Sequence, residues 1–121
     1  DDVKDASVVI TNPTHFAVAI KYRPEDNDAP VIVAMGKDIL AKRVIEQAEL
    51  HSVSLVRSPM LARALYYTGG IGHNISEQLY SAVAAILAYV YQIDKGANVE
   101  FNEPELPPEF MFDEFGKLIE G

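Results

Sequence analysis

Four consecutive residues near the start of the chain, Asn12, Pro13, Thr14 and His15, carry the groups needed to break a peptide bond. Asparagine commonly loses its side-chain amide when the next residue's backbone N–H attacks it. Pro13 has no N–H, so that route is closed. The opposite attack stays open: the Asn12 side-chain nitrogen can attack its own backbone carbonyl, close a succinimide and expel Pro13. That cuts the chain. The attacking amide must lose a proton and the departing Pro13 nitrogen must gain one. His15 supplies an imidazole, which exchanges protons near neutral pH, directly or through a water. Thr14 can hydrogen-bond the turn and shape it. The plainer reading is that Asn-Pro starts an ordinary turn and Thr-His only enters a strand. Neither reading calls for a metal or a cofactor.

An amide is inert unless it is positioned, so the flanking elements matter. Residues 7–11 read as a strand, and residues 16–22 read as the next. Phe16, Val18, Ile20 and Tyr22 fall on one face at period two. Ala17 and Ala19 face the other way, and small apolar residues there imply a strand covered on both sides. Residues 23–30 form a polar loop, residues 31–35 a third strand, and Gly36 ends it. Residues 37–51 read as an amphipathic helix with Leu40, Ala41, Val44, Ile45 and Ala48 on one face. Residues 53–56 make a fourth strand. Ser58 then caps a helix that has Pro59 at its first position and stops at Gly69-Gly70. A last helix starts near Asn74 or Ser76, with capping-box spacing from Asn74 to Glu77, and reaches about Ile93. The expected fold class is α/β: a small four-stranded sheet packed with about three helices, followed by an extended acidic tail.

The 121 residues suffice for one domain with a real core. There is no cysteine, which excludes disulfides and thiolate metal sites. No run approaches the ~18 apolar residues of a membrane span. The net charge of −8 is uneven. Residues 96–121 hold seven acids and one lysine, whereas residues 1–95 hold eleven acids and nine bases. No basic stripe suggests nucleic acid. Residues 1–96 are therefore the expected self-cleaving domain. Residues 97–121, with Pro104, Pro107 and Pro108, read as a disordered acidic tail. Phe110, Met111, Phe112, Phe115, Leu118 and Ile119 break that pattern and allow a docking segment instead.

The tetrapeptide, the residues from Phe16 to Tyr22, Ala29-Pro30 and the run to Ala34, Gly36, the run from Pro59 to Tyr66, Leu79-Tyr80 and residues 83–91 together resemble the FlhB/YscU family of type III export switch proteins. The resemblance covers about residues 5 to 94, and several of its blocks look flagellar. It implies autocleavage between Asn12 and Pro13, a single-turnover event and not turnover catalysis, after which both pieces stay together. It implies a membrane protein whose anchoring helices precede residue 1, with this domain on the cytoplasmic face of the bacterial inner membrane. It also implies a role in switching export from rod and hook to filament substrates. The implied partners are those substrates, their chaperones and other export components, including the hook-length control protein. The alternatives are an injectisome paralogue, or a small α/β binding module whose Asn-Pro turn is inert.

The last helix is apolar beyond one face. Leu79, Val83, Ile86 and Val90 form one line; Ala84, Leu87 and Tyr91 form another. Ala29, Pro30, Ala84 and Leu87 are the expected shallow patch for a short export signal; the alternative is that both lines are core. Residues 69–73 before that helix lack the Lys-Ser/Thr ending of a phosphate loop. His51 and His73 are isolated from other ligand-type residues. Arg57 and Arg63 read as solvated side chains, and Ser58 as a cap without a base to activate it.

Overall fold

Val8, Val9 and Ile10 alternate across a strand, yet all three are fully buried. Such a strand needs a layer on each face. The computed structural model, which describes residues 2–13, 15–26 and 28–119, supplies both layers. Its sheet consists of β1 (Val8–Asn12), β2 (Phe16–Lys21), β3 (Val31–Lys37) and β4 (Leu55–Arg57), in the order β3-β2-β1-β4. β1 runs antiparallel to β2 and parallel to β4, and β2 runs antiparallel to β3. The helices are α1 (Ile39–Leu50), α2 (Pro59–Thr68) and α3 (Tyr80–Asp94).

On one face, Val8, Ile10, Phe16, Val18 and Ile20 pack against Leu61 and Leu65 of α2 and Val83 and Ile86 of α3. On the other, Val9, Ala17 and Ala19 meet Val3 and the Ala41, Val44 and Ala48 stripe of α1. The alanines leave room for α1 to lie close to the sheet, as the alternation implies. The expected α/β class holds, with four strands and three helices. α1 buries a narrower stripe than its periodicity suggests, because Leu40 is exposed and Ile45 only partly covered.

Several boundaries differ for local reasons. Gly36 lies inside β3 and does not end it. A Cβ there would sit 2.5 Å from the Leu40 carbonyl carbon, so glycine admits the first turn of α1 against the strand. The chain turns instead at Asp38, whose φ is 55°. α3 begins at Tyr80, after a short 3-10 turn over Glu77–Leu79. Asn74 does not cap it; it bridges to Val31. β4 starts two residues later than the pattern suggests.

The largest difference is the tail. Leu106 and Phe110 are buried in the α2/α3 core, and Phe101 stacks on Tyr89 with ring centroids 5.0 Å apart. Residues 111–119 fold back on themselves: Phe112 bridges to Leu118, and the Ile119 N–H donates to the Met111 carbonyl at 2.8 Å. Through residue 119 the expectation of little fixed structure is thus corrected; residues 120 and 121 lie outside the described residues. A polar average conceals a few apolar anchors, and prolines lower the entropy lost on ordering them.

Gly36→Ala is expected to destabilise the domain by about 1–3 kcal/mol, the usual range for overpacking. Urea unfolding of the purified domain checks this; an unchanged midpoint would mean that α1 shifts freely away from β3.

Candidate functional site

Asn12 is the last residue of the central strand and pairs with Phe16 across the turn. The turn closes with the His15 N–H donating to the Asn12 carbonyl at 3.0 Å. Of the four residues singled out in sequence, Asn12, Pro13 and His15 are brought together here; Thr14 lies outside the described residues. Asn12 is half-buried, and Pro13 and His15 are exposed.

Both strands around the turn are held firmly. On the Asn12 side, the Ser58 N–H donates to the Thr11 carbonyl at 2.9 Å, tying β1 to the start of α2. On the other side, the Phe16 ring is fully buried and packs edge-on to Tyr66 and Tyr67, with centroids 5.2 and 5.6 Å away. Edge-to-face contacts of this kind add to plain burial. The Lys37 ammonium lies 5.6 Å from the same ring's centroid.

His15 is tied to the β3–α1 corner. Its carbonyl accepts the Asp38 N–H at 2.9 Å, and its Nδ1 lies 3.3 Å from Asp38 Oδ1. The second contact is exposed and weak. It leaves Nε2 as the ring nitrogen not engaged by Asp38. The unusual backbone is at Asp38 itself, with φ 55° and ψ −115°, in a region that favours glycine.

Two cavities flank the turn. One, of about 420 Å³, has Pro13 in its wall with Thr11, Lys42, Ile45 and Leu55. The other, of about 370 Å³, is lined by Asn12, His15, Arg63, Asp113, Glu114 and Ile119. The tail therefore reaches the Asn-Pro turn, which nothing in its composition signalled. In that tail the Asp113 carboxylate accepts the N–H groups of Phe115 and Lys117, each at 2.9 Å. The Lys117 N–H lowers the Asp113 pKa most, desolvation opposes it, and the Phe115 N–H and the charges of Lys117 and Arg63 add to the lowering.

The patch expected at Ala29, Pro30, Ala84 and Leu87 is assembled in part. Pro30, Ala84 and Leu87 line one cavity of about 130 Å³ with Tyr22 and Tyr80. Ala29 lines the neighbouring cavity with Lys21, Arg23 and Val31. The two apolar lines of α3 separate: Leu79, Val83, Ile86 and Val90 are core, while Ala84 and Tyr91 are exposed and Leu87 is half-covered.

Ser58 departs from its expected role. It is fully buried at the start of α2 but makes no side-chain cap. Its hydroxyl instead donates to Glu103 Oε2 at 3.0 Å, and the Met60 N–H donates to the same oxygen at 3.3 Å. Glu103, from the tail, caps the helix; sequence spacing cannot reveal a cap that arrives from 45 residues away. Among the described residues there is no cluster of three metal-ligating side chains, and no helix is long and apolar enough to cross a membrane.

The site is thus an Asn-Pro turn closing the central strand of a small mixed sheet, with a histidine on its far side. The class it defines is a compact α/β domain built around a strand–turn–strand segment. The profile of the FlhB HrpN YscU SpaS family matches residues 1–90, and the chain belongs to that family. Among curated relatives, the flagellar biosynthetic protein FlhB of Aquifex aeolicus is 54% identical over 89 residues, covering 74% of this chain and 25% of the relative. FlhB of Salmonella typhimurium is 44% identical over 95 residues, covering 78% and 25%. The chain therefore spans about a quarter of the length of these relatives. The crystal structure of the FlhB cytoplasmic domain from Shewanella putrefaciens matches with a TM-score of 0.82 at 35% identity, covering 92% of this chain and 91% of that one. A mutated EscU C-terminal domain matches with a TM-score of 0.69 at 30% identity, covering 73% and 87%.

Asp38→Gly is expected to stabilise the domain by about 1 kcal/mol, because relief of backbone strain exceeds the loss of an exposed ion contact. Denaturant melts of both forms check the sign. A loss of stability would show that the His15 contact outweighs the strain.

Proposed function

We propose that this domain cuts its own chain once, between Asn12 and Pro13, and serves as the specificity switch of a flagellar type III export apparatus. The observation that carries the reading is the Asn-Pro bond itself, set at the end of a clamped central strand with a backbone N–H on its carbonyl. In the reaction, Asn12 Nδ2 bonds to the Asn12 carbonyl carbon, and the bond to the Pro13 nitrogen breaks. The Nδ2 proton is lost and the Pro13 nitrogen is protonated, so atoms and charge balance. The products are a C-terminal succinimide and a free Pro13 amine. Oxygen at the attacked carbonyl gains negative charge in the transition state. The His15 N–H, 3.0 Å away, is aimed at that oxygen. On this reading the His15 ring relays the proton, directly or through water.

The sheet explains why the pieces would remain together. Val8, Val9 and Ile10 are fully buried, and each such side chain contributes roughly 1.5–3 kcal/mol. Their ladders to β2 and β4 do not depend on the Asn12–Pro13 bond. Cleavage then frees only the turn, and the functional change belongs to that turn and its new ends. On this reading the domain sits on the cytoplasmic face of the inner membrane as part of a longer anchored protein. Its partners are rod, hook and filament substrates with their chaperones, and other export components such as the hook-length control protein. The hollow formed by Pro30, Ala84 and Leu87, with Ala29 beside it, takes a short apolar export signal.

Mass measured under denaturing conditions is expected to give residues 1–12 and 13–121 in place of one chain. Asn12→Ala should remain whole and folded, and His15→Ala should cut about 100-fold more slowly. A wild-type domain that stays intact for days at neutral pH would overturn the cleavage. An unaltered rate in His15→Ala would leave that ring a structural role.

Substituting Ala84 and Leu87 with aspartate should weaken capture of a rod or hook substrate at least about tenfold, since an apolar contact is replaced by charge. Binding by a folded double variant at the wild-type level would remove the patch from the mechanism.

A further inference from the structure

The tail touches both sides of the reactive turn by separate routes. Glu103 holds the start of α2 through Ser58 and Met60, and the Ser58 N–H holds Thr11, one residue before Asn12. Farther along, Phe112 and Glu114 give their carbonyls to α2: the Arg63 Nε–H donates to Phe112 at 2.7 Å and the Tyr67 hydroxyl to Glu114 at 2.6 Å. The Phe112 ring lies 5.7 Å from that of Tyr67, which packs on Phe16, the residue that pairs with Asn12. Gly116, at φ +84°, lies against the Tyr67 ring; a Cβ there would come within 2.8 Å of it. Between these anchors Leu106 and Phe110 are buried. The segment ends with Asp113, Glu114 and Ile119 facing Asn12 and His15 across one cavity.

We propose that residues 103–119 form a strap across α2 that holds the two strands flanking the Asn12–Pro13 turn, so that releasing the strap loosens the turn. The geometry requires no external ligand, because the occupant of the α2 surface is the chain's own tail. The hydrogen bonds to Ser58, Met60, Arg63 and Tyr67 all run through a side chain and none involves α1 or β3, so the strap can detach without unfolding either. Its link to export rests on the cleavage reading above; the mechanical coupling does not.

The test uses the uncleavable Asn12→Ala chain, so it reads the strap whether or not the natural bond is cut. Hydrogen exchange is followed in residues 9–17, at Ser58, and in α1. Truncation after Asn102 should speed exchange at Ser58 and in residues 9–17 about tenfold or more, with α1 unchanged. Glu103→Gln in the full-length chain should do the same more weakly and mainly at Ser58, which keeps the test decisive if truncation unfolds the domain. Phe115→Ala is the control, since Phe115 is exposed and its side chain is no part of the route. Unchanged exchange near the turn in both variants would overturn the proposal. So would an equal rise throughout α1, which would mean that the tail only adds general stability. In the cleavable chain, truncation should also hasten release of residues 1–12, read by size-exclusion chromatography and mass.

Discussion

The structure depends on β1 being an interior strand. It is paired on both edges, with β2 and with β4, and covered on both faces. A strand in that position has its register fixed from two directions. The antiparallel ladder pairs Val8 with Ile20 and Asn12 with Phe16, and the parallel ladder pairs Val9 with Leu55 and Thr11 with Arg57. A slip by one residue would turn Val8 and Ile10 from the α2/α3 core toward α1, against Ala41 and Ala48. The short turn between β1 and β2 is therefore not needed to define the pairing. That freedom makes the turn a place where the chain can be altered without loss of the sheet.

The same constraint shapes the turn. A hairpin turn at a free edge could relax away from any demanding geometry. Here Thr11 is fastened to α2, Phe16 is locked among Tyr66 and Tyr67, and His15 is fastened to Asp38. Asn12 thus has little room to escape through movement of its neighbours, and its carbonyl already accepts a backbone N–H. The strained residue is one contact away, at Asp38, where β3 passes into α1 across Gly36. The corner that lets α1 lie on the sheet is also the corner that holds His15. Packing and site geometry are set by one short stretch of chain.

The strands were legible because their apolar residues alternate without interruption, and the two-sided cover was legible in Ala17 and Ala19. The turn itself was legible because Asn12 and Pro13 are turn formers set between two alternating apolar runs. What escaped the sequence was non-local or carried by backbone. Gly36 reads as a terminator until Leu40 is seen pressed against it. Ser58 reads as a cap until Glu103 is found accepting its hydroxyl's hydrogen bond. The tail reads as solvated because its charge and proline dominate any average. Its attachments include the Glu103 carboxylate, two apolar anchors, Leu106 and Phe110, and carbonyls of Phe112 and Glu114 that no side-chain pattern encodes. α3 shows the reverse case. Its two apolar lines look alike in sequence, and only the neighbours present decide that Leu79 and Val83 are core while Ala84 is not.

A helix capped from a distant segment behaves differently from one that caps itself. The first N–H groups of a helix need acceptors, and a carboxylate there also meets the positive end of the helix dipole. A local serine cap would satisfy them whatever the rest of the chain did. With Ser58 turned away to donate, that role passes to Glu103, and the start of α2 becomes conditional on where the tail lies. Because the Ser58 N–H is also the bond that holds Thr11, the condition extends to the strand that ends at Asn12. Cutting the chain after Asn12 would leave β1 on one piece and β4, α2 and the tail on the other. The Thr11–Ser58 bond and the β1 ladders would then be among the contacts across the break, beside the packing of Val8, Val9 and Ile10, and the tail would stand behind the first of them.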